Sequence, residues 1–402
     1  LIYDLTSFMP HVSVCAKRAT VRLLSRIAFT TLTAFTTLTA LTTLTGVAPA
    51  AEPLLTTFRN SPGISEVLSV NDASAVLGRR EVQQESLLSM EHYVRTNGVD
   101  HHVPLPAEFT NLDLHQLTNS GHVIGYAVRA PGHPEGNQRA LRWHVETDQA
   151  ELLPVPEGFR GSCAFDADES ATHVSGFVIG RDPPRLQPCV WELSGEHEWH
   201  CRLLSVLYDY NPVLSSAKVA ISDDGRWVAA SLVTAINEAQ QRQYGLFVWQ
   251  RDAQNEWQRL PMRIEQAVHL GNINNHGFVA GRILDQGKRR AFVSGNADGN
   301  QRLPLPNGRD NSYATDVNQA GMVVGVMDDP PGPEGTSTAF LWNGSELRPL
   351  PLPPEVVMST ANSITDQLQV GGMLVRVPPD KESEDAESIA LESYILGLDA
   401  AK

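Results

Sequence analysis

Asn272-Ile273-Asn274-Asn275-His276-Gly277-Phe278-Val279-Ala280-Gly281 is the stretch on which the fold turns. Two short apolar arms flank a polar centre, and Asn274, Asn275 and Gly277 are residues that accept the backbone angles of a tight reversal. The reading is a β-hairpin. The phrase returns as Ala220-Ile221-Ser222-Asp223-Asp224-Gly225-Arg226-Trp227-Val228 and as Asp316-Val317-Asn318-Gln319-Ala320-Gly321-Met322-Val323-Val324-Gly325. Fainter copies are centred on Val70, Leu117, Ala167 and Ile364. The seven centres lie 47, 50, 54, 52, 44 and 47 residues apart. A period of about 50 marks a propeller or a solenoid.

Each repeat holds four strands. The hairpin arms are A and B. After a polar loop comes a short aromatic run, as in Leu141-Arg142-Trp143, Val190-Trp191, Leu246-Phe247-Val248-Trp249, Ala291-Phe292-Val293 and Phe340-Leu341-Trp342, which is C. A second turn leads to a Leu-Pro pair (Leu153-Pro154, Leu260-Pro261, Leu303-Pro304, Leu350-Pro351), or to Val103-Pro104 in the first repeat and Leu203-Leu204 in the third, read as D. Proline removes a ladder donor, which places D on the outer edge of its sheet. Seven A-B-C sets are followed by only six D strands, and Glu52-Pro53-Leu54-Leu55 reads as a D strand with nothing before it. The fold expected is therefore all-β: a single seven-bladed β-propeller of four-stranded blades, with an N-terminal strand closing the last blade. An open stack, two smaller propellers, or six or eight blades are the alternatives.

Ile273–Gly281, followed by Arg290-Ala291-Phe292-Val293 and Leu303-Pro304, resembles the bacterial extracellular HAF-repeat family over roughly residues 60–372. Ser74, Ala171 and Leu368 depart from its pattern, standing where the other repeats have the turn glycine. The resemblance implies a propeller-like fold and export, and it brings no catalytic residue with it.

The chain of 402 residues carries 31 Lys+Arg against 46 Asp+Glu, a formal charge of −15, which argues against nucleic-acid binding. At its front, Lys17, Arg18, Arg22 and Arg26 precede an uncharged run from Ile27 to Val47 and then Ala48-Pro49-Ala50. Basic, apolar and A-x-A parts in that order make a secretory signal. A retained anchor is the alternative, and with Leu at position 1, Met9 or a non-AUG codon is an alternative start. The expected division is 1–50 for extension and signal and 51–402 for the propeller. Secretion, the periplasm or the cell surface follows, with no stable membrane span after cleavage.

No chemistry-bearing motif rises above turn chemistry. His197-Glu198-Trp199-His200 has its histidines three apart in a hairpin rather than four apart on a helix, and Asn296–Asn300 lacks the glutamate that closes a calcium loop. No metal, cofactor or catalytic residue is expected. Cys189 and Cys201 flank the Gly195 turn, where they are either a disulfide or two buried apolar residues. The tryptophans 143, 191, 249 and 342 recur at one blade position and read as core. Function is better sought on variable loops held by a rigid scaffold. The B–C and D–A loops share one face, and Tyr208, Tyr210, Asp328, Asp329, Arg129 and Arg181 are its candidate ligand-binding residues. The expected function is a monomeric, non-catalytic binding or scaffold module for an extracellular protein or glycan. A polysaccharide lyase or glycoside hydrolase with a central site, or a structural cell-surface component, are the alternatives.

Overall fold

The computed structural model describes residues 54–398 apart from 59–64, 85–86, 134–135, 181–185, 196–197, 207–217, 237–241, 262–266, 296–299, 307–308, 329–335 and 377–389. The signal segment 1–50 therefore lies outside the described residues. The rest forms seven antiparallel sheets of four strands each, arranged as a seven-bladed β-propeller. Blade 5 is representative: A is Ala267–Ile273, B Val279–Asp285, C Lys288–Ser294 and D Asn300–Arg302. The other innermost (A) strands are Ser65–Val70, Asn111–Leu117, Phe159–Ala167, Val219–Ile221, Asn311–Val317 and Val356–Ile364. All seven repeat centres read from the sequence are the last residues of these strands. Each A strand touches the A strands of both flanking blades, and Ser65–Val70 meets Val356–Ile364 where the ring closes. Among the described residues no helix is long and apolar enough to cross a membrane.

Closure comes from the N-terminal strand. Leu55–Phe58 pairs antiparallel with Ala390–Gly397, Leu55 opposite Leu396 and Phe58 opposite Ser393, and becomes the outer strand of blade 7. Around the ring the sheets bury their faces against one another, and the strand C tryptophans fill the gaps. Trp143, Trp191, Trp249 and Trp342 are all buried in clusters that span adjacent blades. Two also stitch blades together: Trp191 Nε1–H donates to the Pro154 carbonyl (2.8 Å) and Trp249 Nε1–H to that of Ser205 (3.2 Å).

The Leu-Pro pairs do not form strand D, as the sequence suggested; they end it. The outer strands are the residues before them, Gln149–Leu152, Trp257–Arg259, Asn300–Arg302 and Leu347–Pro349. The leucine that follows makes one last backbone bond to strand C, from Leu153 to Ala140 (2.9 Å), Leu260 to Val248 (2.9 Å), Leu303 to Ala291 (2.9 Å) and Leu350 to Ala339 (3.0 Å). In all four pairs the proline after the leucine has no N–H to continue the ladder.

The A–B turns use a left-handed residue at the fourth position whether or not it is glycine. Gly277 has φ 69°, but Ser74 (61°), Ala171 (54°) and Leu368 (61°) adopt the same conformation. The three repeats without the glycine thus keep the turn at the steric cost of a Cβ.

Candidate functional site

The axis is reached from two sides, and the two differ in how their polar groups are used. On the A–B turn side, side chains of four turns accept the N–H of a neighbouring turn. Asp72 N–H donates to Asn119 Oδ1 (2.8 Å), Asp224 N–H to Asn275 Oδ1 (2.9 Å), Asn275 N–H to Gln319 Oε1 (2.8 Å) and Gln319 N–H to Asp366 Oδ1 (2.8 Å). Gln319 Nε2 reaches past blade 5 to Asp223 Oδ2 (2.6 Å). Burial pushes the Asp223 carboxyl up to about 6, helped by the charges of Asp316, Asp366 and Glu169. This side is knitted together by its own turns.

Below the turns runs a belt of side chain to backbone bonds between blades. The penultimate residue of strand A accepts the N–H of the next blade's last A residue: Ser69 from Leu117 (3.2 Å), Gln116 from Ala167 (2.6 Å), Asp166 from Ile221 (2.9 Å), Asp316 from Ile364 (2.8 Å) and Ser363 from Val70 (3.3 Å). Blade 4 has Ala220 there and donates through Ile221 without accepting. Burial raises both acids of the belt, Asp166 to about 8, with Lys218 nearby opposing the rise.

On the B–C/D–A side the strands carry a different set. In six blades strand A bulges, and the glycine opposite the bulge in strand B is followed by one residue that varies: Arg79, Tyr126, Phe177, Arg282, Val326 and Met373. The bulge gives that residue a partner from strand A: Glu66 with Arg79, Asp113 with Tyr126, and His269 with Arg282. Arg79 and Glu66 form an ion pair (2.6 Å), and Glu66 also accepts from Asn362 Nδ2 (2.9 Å) of blade 7. The Tyr126 hydroxyl donates to Asp113. His115, itself a bulge residue, stacks on Phe165 (4.9 Å between ring centres) with its Nε2 3.9 Å from Asp113. Lys218 of blade 4 donates to the Gly271 carbonyl.

Three imidazoles in this region are held neutral. Burial lowers His92 to about 4, with Arg79 and His115 adding to the effect and Asp113 opposing it. His115 is lowered by burial, with Lys218 and Arg79 adding and Asp113 opposing. Burial, Arg282 and Lys218 together lower His269 to about 3. Arg282 is distinct. Its guanidinium lies over the Tyr313 ring (5.7 Å), and its Nε is shielded from solvent without a hydrogen-bond acceptor. Burial lowers its pKa, the like charge of Arg289 adds to that, and Tyr313, Asp328 and Tyr244 act against it.

Of the residues predicted from sequence, Arg129 is buried and already engaged. It pairs with Glu108 (2.7 Å) and lies over the Phe109 ring (4.7 Å), clamping a D–A loop to the end of strand B. Asp328 ends strand B of blade 6, accepts from Ser337 Oγ (2.8 Å), and is close enough to act on both Arg282 and Tyr313. Tyr208, Tyr210, Arg181 and Asp329 lie outside the described residues, as does His197. Cys189 and Cys201 are free thiols. The hairpin sets Cys189 opposite Leu203 and Cys201 opposite Trp191, so the two are diagonal rather than facing, and they remain in hydrogen-bond contact. Among the described residues no group of His, Cys, Asp or Glu is placed to hold a metal ion.

Arg282, His269, Tyr313 and Lys218 were not singled out from sequence. A signal was present: in the repeat the residue after the second glycine is the one that changes chemical class. Its meaning needs the bulge, which sequence alone does not display.

No protein-family model matches the chain, and no curated protein matches it. Among solved structures it is similar to a prolyl endopeptidase, with TM-score 0.53 and 11% identity over 83% of this chain and 50% of that one. It is similar to prolyl oligopeptidase B from Galerina marginata bound to a 25mer macrocyclization substrate (0.54, 11%, 84% and 52%). It is also similar to the acylaminoacyl peptidase of Pyrococcus horikoshii (0.50, 9%, 78% and 51%). The chain spans about half the length of these structures. At such identities the likeness carries the β-propeller fold alone.

Proposed function

We propose that the protein is an exported binding or scaffold propeller of the HAF-repeat kind, which meets an extracellular protein or glycan on its B–C/D–A face without catalysing a reaction. The observation that carries this reading is the asymmetry of the two sides. On the A–B side the turns bond one another, whereas on the other side Arg282 has its guanidinium beside tyrosines and no hydrogen-bonded or ion-paired partner among the described residues. A scaffold with variable loops around an unsatisfied polar centre is built to take a partner there.

The test is a thermal-shift screen of protein beginning at Ala51 against extracellular glycans and metal ions. A glycan is expected to raise the melting temperature, and Ala substitution of Tyr208, Tyr210 and Asp329 together is expected to abolish the shift. Hits that survive all three substitutions would put the contact surface elsewhere.

A further inference from the structure

We infer that the B–C/D–A end of the axis contains a binding site for an organic monocarboxylate, with Arg282 as the residue that pairs with the carboxylate and the Tyr313 and Tyr244 side chains flanking it. The inference deepens the proposed use of this face and rests on it.

A partly buried guanidinium costs free energy unless it is paired, and a cation over an aromatic ring recovers only part of that cost. Apart from the exposed Arg289, the other charged groups named around it have partners. Arg79 is tied to Glu66, Asp113 receives the Tyr126 hydroxyl, Lys218 donates to Gly271, and Asp328 accepts from Ser337. Arg282 makes neither a hydrogen bond nor an ion pair among the described residues, and its one close partner is the Tyr313 ring. The neighbouring imidazole of His269 is uncharged and adds no positive charge. Arg282 is thus a half-buried cation whose Nε is shielded and whose guanidinium has only an aromatic ring for a partner.

The shape and charge of that one group select the ligand. A single guanidinium matches a single negative charge, and its planar fork matches the two oxygens of a carboxylate. Phosphate and sulfate would bring a second negative charge close to Asp328 and Glu66, both of which act on Tyr313 beside Arg282. Sugar acids and simple organic acids share the carboxylate chemistry.

Calorimetric titration of the full chain at neutral pH and low salt decides the matter, with sodium galacturonate, sodium acetate, methyl galactoside and inorganic phosphate as probes. Galacturonate or acetate is expected to bind and methyl galactoside is not. Binding by galacturonate alone assigns a sugar acid, and equal binding by acetate assigns the carboxylate alone. Arg282→Gln should weaken binding by tenfold or more, with Arg282→Lys between it and the unaltered protein. Arg226→Gln, on the opposite side, should change nothing. The site is refuted if no carboxylate binds, if phosphate binds tighter than either carboxylate, or if folded Arg282→Gln and Arg282→Lys both bind as before. Should those variants be silent while Tyr208, Tyr210 and Asp329 substitutions still abolish a glycan shift, the carboxylate site fails and the broader role of the face stands.

Discussion

Gly325 shows how one residue encodes a repeat. A Cβ on it would press into the Tyr313 carbonyl oxygen and come within 2.9 Å of the Ala314 Cα, because strand A bulges at Thr315 and pushes its backbone against strand B. Gly125, Gly176, Gly281 and Gly372 sit under the same pressure in their own blades. Blade 4 is the exception that explains the rule: it has Ala230 at this position, and Val219–Ile221 pairs with strand B without a bulge. Gly325→Ala should therefore cost about 3 kcal/mol, since backbone has to move. Ala230→Gly should cost about 1 kcal/mol, for added freedom in the unfolded chain. Urea unfolding of both variants checks this, and equal losses would mean that the bulge does not set the requirement. The glycine was legible in the sequence as a recurrent letter, but its reason was not, because the oxygen that excludes a side chain belongs to another strand.

At the scale of the element, the A strands act through the belt that joins each to the next. Its acids are charged in the unfolded chain at neutral pH but are disfavoured as carboxylates when buried. Asp166, with its folded value raised to about 8 by burial, binds a proton that the unfolded chain releases near 4. Its contribution is full below the unfolded value and is lost as pH rises through the folded one, so stability should fall between about pH 4 and pH 8. Asp166→Asn keeps an acceptor for the Ile221 N–H and removes the proton. The variant should fall less steeply over that window and be the more stable protein at its alkaline end, as read from denaturation midpoints across pH. Parallel curves would show that Asp166 stays ionised. The belt lay hidden in the sequence because Ser69, Gln116, Asp166, Asp316 and Ser363 share no one residue type, only a position one before a repeat centre. The outer strands are hidden for a related reason: Leu-Pro is conspicuous, yet the proline after the leucine marks where a ladder stops, and the strand is the plainer segment before it.

Across the whole molecule, stability depends on the ring being closed, since each sheet needs a neighbour on both faces. The seam is polar. Ser65 Oγ and Ser393 Oγ are 2.6 Å apart, Val70 N–H donates to Ser363, and Asn362 Nδ2 donates to the Val67 carbonyl (2.7 Å). Outside that seam, four residues of Leu55–Phe58 cover the edge of Ala390–Gly397. Deleting residues 54–58 should cost roughly 4 kcal/mol at about 1 kcal/mol per ladder bond, and should leave an open edge that associates. Thermal unfolding with light scattering would register both effects, and an unchanged melting temperature would mean the ring holds without its outer strand. The sequence by itself determined the number of blades, the place of the turns and the origin of the closing strand, because each is a local preference repeated at a fixed interval and counted along one chain. Only the tertiary structure decided which polar residues are spent on bonds between blades and which, like Arg282, are left over. Pairing is a matter of distance between strands far apart in the chain, and spacing in sequence carries no record of it.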